Sequence, residues 1–494
     1  MLFNSYEFLL GFLPIALLAF HGLARAGRPR LAMLALLLLS LAFYARWNPA
    51  HLLVLVPLTA ANYAAVSRLA VLGGRRPRLA KGLLAAAVAV DLGVLAAFKY
   101  AGFAAETASA LLGLDLPLAR LALPLGISFF TFEMVTSLVD AAAGEVERRD
   151  PLDYALFVSF FPHLVAGPIV RHDEMMPQFR AGARPTGAMV CQGVTLLAIG
   201  LAKKVLLADL VAPYATARFA AAAAGQALSA ADAWAGALAY AGQIYFDFSG
   251  YSDMAIGAAL LFGIRLPVNF ASPYRTGSII DFWQRWHITL TRLLRAYVYV
   301  PLALRAARRG RPRPYRHLLL TMLLAGLWHG AGWTYLAWGG LHGVFLAVNH
   351  AWRAFAKKAH LDLGGSRVAR AACGALTLGA VVVAWVLFRA PDLPAAGRML
   401  AAMAGAGGAA GRTAFGDTGA ALVAATALLV LARFAPNSQE LTGYVGPGEA
   451  PPEVAPAVRL AWSPSARWAV AVGLLAAASL ASLSRVSEFI YFQF

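Results

Sequence analysis

Charge is what this chain has least of. Only 13% of its 494 residues are Asp, Glu, Lys or Arg, about half of the roughly 25% found in soluble domains. So few charges cannot cover a surface that meets water on all sides. With 60% hydrophobic residues and a mean hydropathy of +0.65, the solvent the sequence expects is lipid. Cysteine is nearly absent. Cys191 and Cys373 both sit in apolar surroundings and offer neither a disulfide framework nor metal-ligand spacing, so no bound metal or cofactor is expected. Acidic residues are outnumbered, 24 against 42, which leaves a net charge of +18. The basic residues fall in short runs between apolar stretches, not in a soluble basic domain. That argues against nucleic acid as a partner and for cytoplasmic loops. A cleavable leader is also missing: no basic segment precedes the first apolar run, which continues to Phe20, so it reads as an uncleaved first span.

What the chain has in abundance is apolar segments of about 20 residues, the length of a transmembrane helix. Candidate spans cover about 7–24, 31–46, 51–72, 83–101, 119–140, 187–212, 234–262, 317–334, 335–352, 371–389, 418–434 and 467–484. Two further segments, about 152–170 and 283–304, are interrupted by proline, charge or histidine and read as re-entrant or interfacial pieces. The expected fold is all-α: a polytopic membrane protein of about twelve helices plus re-entrant segments, with residues 1–494 forming one membrane domain. The runs Arg25–Arg30, Arg75–Lys81, Arg305–Arg316 and Arg353–Lys358 all fall on one side if the N-terminus is outside and the two interrupted segments do not cross. Basic loops are cytoplasmic, so both termini are expected to be periplasmic. Residues 402–416 are Gly/Ala-rich and read as a flexible outer loop. Residues 435–464, rich in Pro and Glu, read as a poorly structured cytoplasmic connector.

Polar residues accumulate between about 240 and 345, inside otherwise apolar segments. Ionisable groups at membrane depth are expensive and usually face a cavity. The first cluster, YFDFSGYSD (245–253), brings Asp247, Ser249, Tyr251, Ser252 and Asp253 within about one and a half helical turns. It reads either as the polar wall of a tunnel or as a hydrogen-bonded network that fixes broken segments. The second, DFWQRWHITL (281–290), follows the irregular LPVNFASPY (266–274), whose Pro267, Asn269 and Pro273 prevent a continuous helix. On a helix Trp283 and His287 would share a face, with Arg285 turned away. With Trp286 they would line a path, or alternatively form an interfacial belt. The third, LWHGAGW (327–333), sets His329 beside Trp328, Gly330, Gly332 and Trp333. Burial favours neutral imidazole, the form that accepts a hydroxyl proton as a general base. The alternative is a structural histidine bonded to a helix carbonyl, as His342 and His350 on the next span would be.

The four motifs YFDFSGYSDMAIG, LPVNFASPY, DFWQRWHITL and LWHGAGW together resemble the membrane-bound O-acyltransferase (MBOAT) family, and most closely its bacterial branch that acetylates alginate and other exopolysaccharides. The resemblance runs from MLFNSYEFLLGFLP, through FFPHLVAGPIVRHDEMMPQF, to the terminal FIYFQF. It implies that His329 is catalytic and His287 a second functional histidine. In the functional reading of the three clusters, Asp247, Tyr251, Asp253, Asn269, Trp283, Trp286, Trp328 and Trp333 line the tunnel and substrate path. The resemblance also implies a donor, acetyl-CoA or an acyl carrier, at the cytoplasmic face of a bacterial inner membrane, and an extracytoplasmic polysaccharide acetyltransferase as partner. The chain departs from the family pattern after His287. Relatives read close to WLRDYLYIPLGG, whereas this chain has LLRAYVYVPLAL, with Ala296, Ala303 and Leu304 in place of an aspartate and two glycines.

Two other functions fit parts of the pattern: D-alanyl transfer to teichoic acid within the same family, and a proton-coupled transporter using Asp247, Asp253, His287 and His329 as a relay. The aromatic tail 489–494 includes one hydroxyl, Tyr491. It is either an interfacial anchor or, if the tail folds back to the outer mouth, an acyl relay.

Overall fold

The computed structural model describes residues 1–113, 121–146, 150–182, 184–310, 314–360, 366–406, 415–449, 461–483 and 489–490. Residues 407–414 of the 402–416 loop, residues 450–460 of the 435–464 connector and Tyr491 lie outside them. Every regular element among the described residues is a helix, and none is a strand. Lipid leaves a backbone few other choices, because a helix satisfies its own N–H and C=O groups. Glu7–Arg25, Pro49–Leu72, Pro77–Leu112 and Arg367–Arg389 are long and apolar enough to cross a bilayer, and Pro29–Ala45, Thr418–Phe434 and Ala466–Ala481 are shorter apolar helices.

The chain forms two compact units. One comprises Met1–Ala202, Tyr251–Val268 and Thr442–Phe492; the other is built from Lys203–Gly250 and Asn269–Leu441. In the first, the helix Leu52–Leu72 packs against Pro77–Leu95 and Ile127–Ala143, and Pro151–Ser159 packs on Pro29–Ala45. Phe12, Phe43 and Phe161 fill its core with centroids 5.2 to 5.4 Å apart. The interrupted segment near 152–170 breaks where Phe160 leaves the helical conformation, one residue before Phe161–Leu164. Two pairs of buried polar residues tie this unit together: Asn62 with Asp91 at 2.7 Å, and His172 with Asp140 at 2.9 Å. The helix Gly187–Ala202 crosses the 251–261 stretch at Gly193 and Gly257. A Cβ on Gly257 would lie 2.6 Å from the Gly193 carbonyl, so only glycine permits the approach.

The second unit holds a π-turn, Lys203–Ala208, and the helices Asp209–Ala223, Pro314–His329, Trp333–Lys358, Arg367–Arg389, Leu393–Met403 and Thr418–Phe434. The long helix Ala230–Leu261 contributes its first part, through Gly250. Pro314–His329 and Trp333–Lys358 form the tightest helix pair, because a Cβ at Gly326 would overlap the Tyr335 carbonyl and one at Gly339 the Met322 carbonyl. The predicted boundary between spans 317–334 and 335–352 moves: the first helix ends at His329, and Gly332 is extended before Trp333.

Candidate active site

The site grows from a helix that stops. Ser278 caps Ile279–Arg285 by accepting the Asp281 amide at 3.2 Å. Trp286 is then extended, and His287 adopts a left-handed backbone with φ of 43° before Ile288–Leu294 begins. The expectation that one helix carries Trp283 and His287 on a common face is therefore corrected: the helix ends at Arg285, two residues short of His287. A left-handed non-glycine residue is costly and persists only where its surroundings fix it. Here Asn269 does so. Its backbone carbonyl accepts Ile288 N–H at 3.0 Å, while its Oδ1 receives Thr289 Oγ1 at 2.9 Å and the Thr289 amide at 3.4 Å.

That network also fixes the His287 ring. Oδ1 of Asn269 stands 3.1 Å from His287 Nδ1, and an oxygen already receiving a backbone N–H is the acceptor in that contact. His287 Nδ1 thus donates, and in the neutral ring Nε2 keeps its lone pair. Phe248 meets the His287 ring edge-on at 4.9 Å and Trp328 at 5.8 Å.

His329 ends its helix 6.2 Å, ring to ring, from His287. It is only 4% exposed. Trp328, Trp338 and Phe388 stand around its imidazole with centroids at 4.8, 5.1 and 5.2 Å. Gly330 follows it, and a Cβ there would overlap the Tyr335 ring, so the chain can turn at this point only without a side chain. Behind these rings the Trp283 indole N–H donates to His342 Nδ1 at 3.3 Å. His342 is thus held by an indole, not by the helix carbonyl expected for it. Trp385 joins Trp286 at 4.8 Å and stacks on Trp338 at 5.8 Å.

Of the residues singled out in the sequence, His287, His329, Asn269, Trp283, Trp286 and Trp328 are thus brought into one aromatic cluster of the second unit. Trp333, at the start of the next helix, is 53% exposed. Asp247 lies in the same unit, in a salt bridge of 2.7 Å to Lys204, which also holds Asp209 at 3.0 Å. Tyr251 and Asp253 belong to the first unit, where Tyr251 stacks on Phe3 at 4.9 Å and meets Phe489 edge-on at 4.7 Å. Sequence reasoning passed over Lys204, although two adjacent lysines inside an apolar span signal a buried charge that needs a partner. It also passed over Trp338, Trp385 and Phe388, since aromatic residues in apolar helices carry no mark of which cavity they wall.

A buried aromatic cluster with two neighbouring imidazoles, one of them held in a single tautomer, suits proton transfer to and from a hydroxyl. Comparison with known proteins bears on that chemistry. The profile of "MBOAT, membrane-bound O-acyltransferase family" matches residues 79–388. The chain belongs to that family. Its similarity extends to a peptidoglycan O-acetyltransferase of Helicobacter pylori, 38% identical over 83% of this chain and 80% of that protein. A probable alginate O-acetylase of Pseudomonas aeruginosa is 40% identical over 82% of this chain and 75% of its own length. A teichoic acid D-alanyltransferase of Streptococcus thermophilus is 28% identical, over 46% of this chain and 57% of its own length. This MBOAT chain is accordingly a multi-pass membrane protein and an O-acyltransferase.

Proposed function

We propose that the protein is an inner-membrane O-acetyltransferase. It takes an acetyl group from a cytoplasmic donor, acetyl-CoA or an acyl carrier, and passes it across the bilayer for O-acetylation of an extracytoplasmic polysaccharide such as alginate. The observation behind this reading is the pair of imidazoles, 6.2 Å apart, within one aromatic cluster. The acyl group moves past His287 along the ring-lined path of Trp283, Trp286 and Trp328. At His329 the acceptor oxygen attacks the acyl carbon of the thioester while the imidazole takes the hydroxyl proton. The carbon–sulfur bond breaks, and the proton passes to the departing thiolate, leaving an ester and a free thiol. Similarity over four-fifths of the chain to proteins named as O-acetylating enzymes, against less than half for the D-alanyltransferase, supports acetyl as the group moved. The direct test is transfer of labelled acetyl from acetyl-CoA to polymer by membranes containing the chain. Label that appears equally in membranes without it rejects the reading.

The topology assigned here has both termini in the periplasm and the basic 305–316 run in the cytoplasm. In a background lacking Cys191 and Cys373, an Arg309→Cys reporter should resist a membrane-impermeant thiol reagent in intact cells and react after lysis. Labelling from the periplasm reverses the orientation.

The C-terminal tail is given a role in the same scheme. Phe489 and Ile490 are 1% and 5% exposed, which supports a tail drawn into the protein over one spread at the lipid interface. In this proposal the Tyr491 hydroxyl receives the acyl group at the outer mouth and hands it to an extracytoplasmic acetyltransferase partner. Tyr491→Phe keeps the ring and removes only the nucleophile. Polymer acetylation in that variant is expected to fall sharply at unchanged abundance, because the relay loses the oxygen that accepts the acyl group. Unchanged acetylation reduces the tail to an anchor.

A further inference from the structure

The first span, Glu7–Arg25, ends in a Schellman turn. The Arg28 amide donates to the Leu23 carbonyl at 3.0 Å and the Gly27 amide to that of Ala24 at 3.2 Å, with Gly27 left-handed at φ of 73°. Gly27 lines a cavity of about 730 Å³ that lies within the first unit, a size usual for ligand clefts. Leu17, His21 and Arg25, four residues apart and so on one face of the helix, form one wall. Arg184 and Val190, at the entry to Gly187–Ala202, form another, and Leu261 completes the lining.

This lining is graded in polarity. Eight residues of helix set Leu17 about 12 Å deeper in the span than Arg25. Val190 is exposed, and so is Val194 one turn further on, so an apolar strip leaves the cavity along the helices. At the opposite end stand Arg25 and Arg184, both exposed. Among the described residues neither guanidinium has an ion pair or a hydrogen bond, and none of those lining the cavity is acidic. His21 is engaged within the protein: its Nε2 donates to the Leu261 carbonyl at 2.9 Å, and its ring stacks on Phe262. A neighbouring cavity of about 300 Å³ supplies the contrast. Arg30 and Arg180 line it, but so do Asp150 and Asp153, which hold them at 2.5 and 3.2 Å. Two cations are neutralised there, and two are left uncompensated beside Leu17 and Val190.

We infer that the larger cavity binds an anionic phospholipid of the surrounding bilayer, with its phosphate between Arg25 and Arg184 and an acyl chain against Leu17 and Val190. A headgroup of net negative charge matches two uncompensated guanidiniums, whereas a zwitterionic one brings an ammonium towards them. Basic pockets between spans collect such headgroups at the cytoplasmic face, and the topology proposed above puts Arg25 there. A soluble phosphate, that of coenzyme A included, has the same chemistry at the arginines but makes no use of the apolar strip.

The experiment is native mass spectrometry of the purified full-length protein in detergent, titrated with phosphatidylglycerol, phosphatidylethanolamine and coenzyme A. Phosphatidylglycerol should be retained several-fold more tightly than phosphatidylethanolamine. Arg25→Gln and Arg184→Gln should each weaken its retention about fivefold, and the double variant about 30-fold, the usual effect of basic residues at an anionic lipid surface. Arg30→Gln should leave it unchanged, because Asp150 already neutralises that guanidinium. Val190→Trp fills the apolar half and should weaken retention with both charges in place, and excess coenzyme A should not displace the lipid. Equal retention of the two lipids, or a double variant that keeps the preference, overturns the inference. Displacement by coenzyme A also overturns it, by assigning the cavity to a soluble phosphate. So does a loss in Arg30→Gln as large as that in Arg25→Gln, which is the behaviour of general surface charge.

Discussion

His329→Ala is expected to cut polymer acetylation by about 10² to 10⁴-fold while the protein still inserts and accumulates normally. The expectation rests on where the imidazole sits. It is 4% exposed and enclosed by Trp328, Trp338 and Phe388, so no bulk water stands ready to take the hydroxyl proton in its place. Truncation to alanine also opens a small gap among these rings and so weakens packing. His329→Gln therefore accompanies it, since the amide fills the space and cannot act as a base near neutral pH. Loss of acetylation in both variants at wild-type abundance assigns the proton transfer to the imidazole. A well-expressed His329→Ala protein with near-normal acetylation removes the chemical basis of the proposal.

Lys204→Met is expected to destabilise the protein by about 3 to 5 kcal/mol, the usual consequence of removing one partner from a buried ion pair. Lys204 is 1% exposed at its side chain and Asp247 2%, and the pair is 2.7 Å apart. Asp209, 3.0 Å from the same ammonium, is 17% exposed. Without the ammonium, the buried Asp247 carboxylate loses the cation 2.7 Å from it, and removing one partner of a buried pair is costly. Asp247→Asn should cost less, because Lys204 keeps Asp209. Joining Lys204→Met to Asp247→Leu should restore part of the loss, since a buried pair replaced by apolar groups of similar volume is often neutral. Thermal unfolding in detergent measures all three. An unchanged transition in Lys204→Met shows that the pair is solvated in the membrane.

The helical class and the breaks were legible because hydropathy and proline act locally. Pro267 and Pro273 each remove a backbone donor within seven residues and so disfavour a continuous helix, and the chain is irregular there. The position of His287 was not legible. Helical periodicity carried it onto the Trp283 face, whereas the backbone is turned left-handed by Asn269, 18 residues earlier. Long-range staples of this kind leave no periodic trace. Nor does anything in the spacing of DFWQRWH and LWHGAGW state that their imidazoles come within 6.2 Å of each other. That closeness depends on a helix pair drawn together at Gly326 and Gly339. The salt bridge of Asp247 was half visible: the sequence marked the acid as needing a partner, but Lys204 lies 43 positions away by numbering, on a π-turn that hydropathy does not reveal.

The central claim is that this chain moves an acyl group from a donor on one side of the membrane to a hydroxyl on the other. Proteoliposomes with labelled acetyl-CoA outside and a hydroxyl acceptor sealed inside, together with the purified partner acetyltransferase, measure that directly. The account predicts that label reaches the sealed acceptor with the wild-type chain, and that His329→Ala vesicles leave it at background while remaining impermeable to acetyl-CoA. Label that reaches the acceptor only when donor and acceptor share a compartment, or that crosses equally well in His329→Ala vesicles, contradicts it.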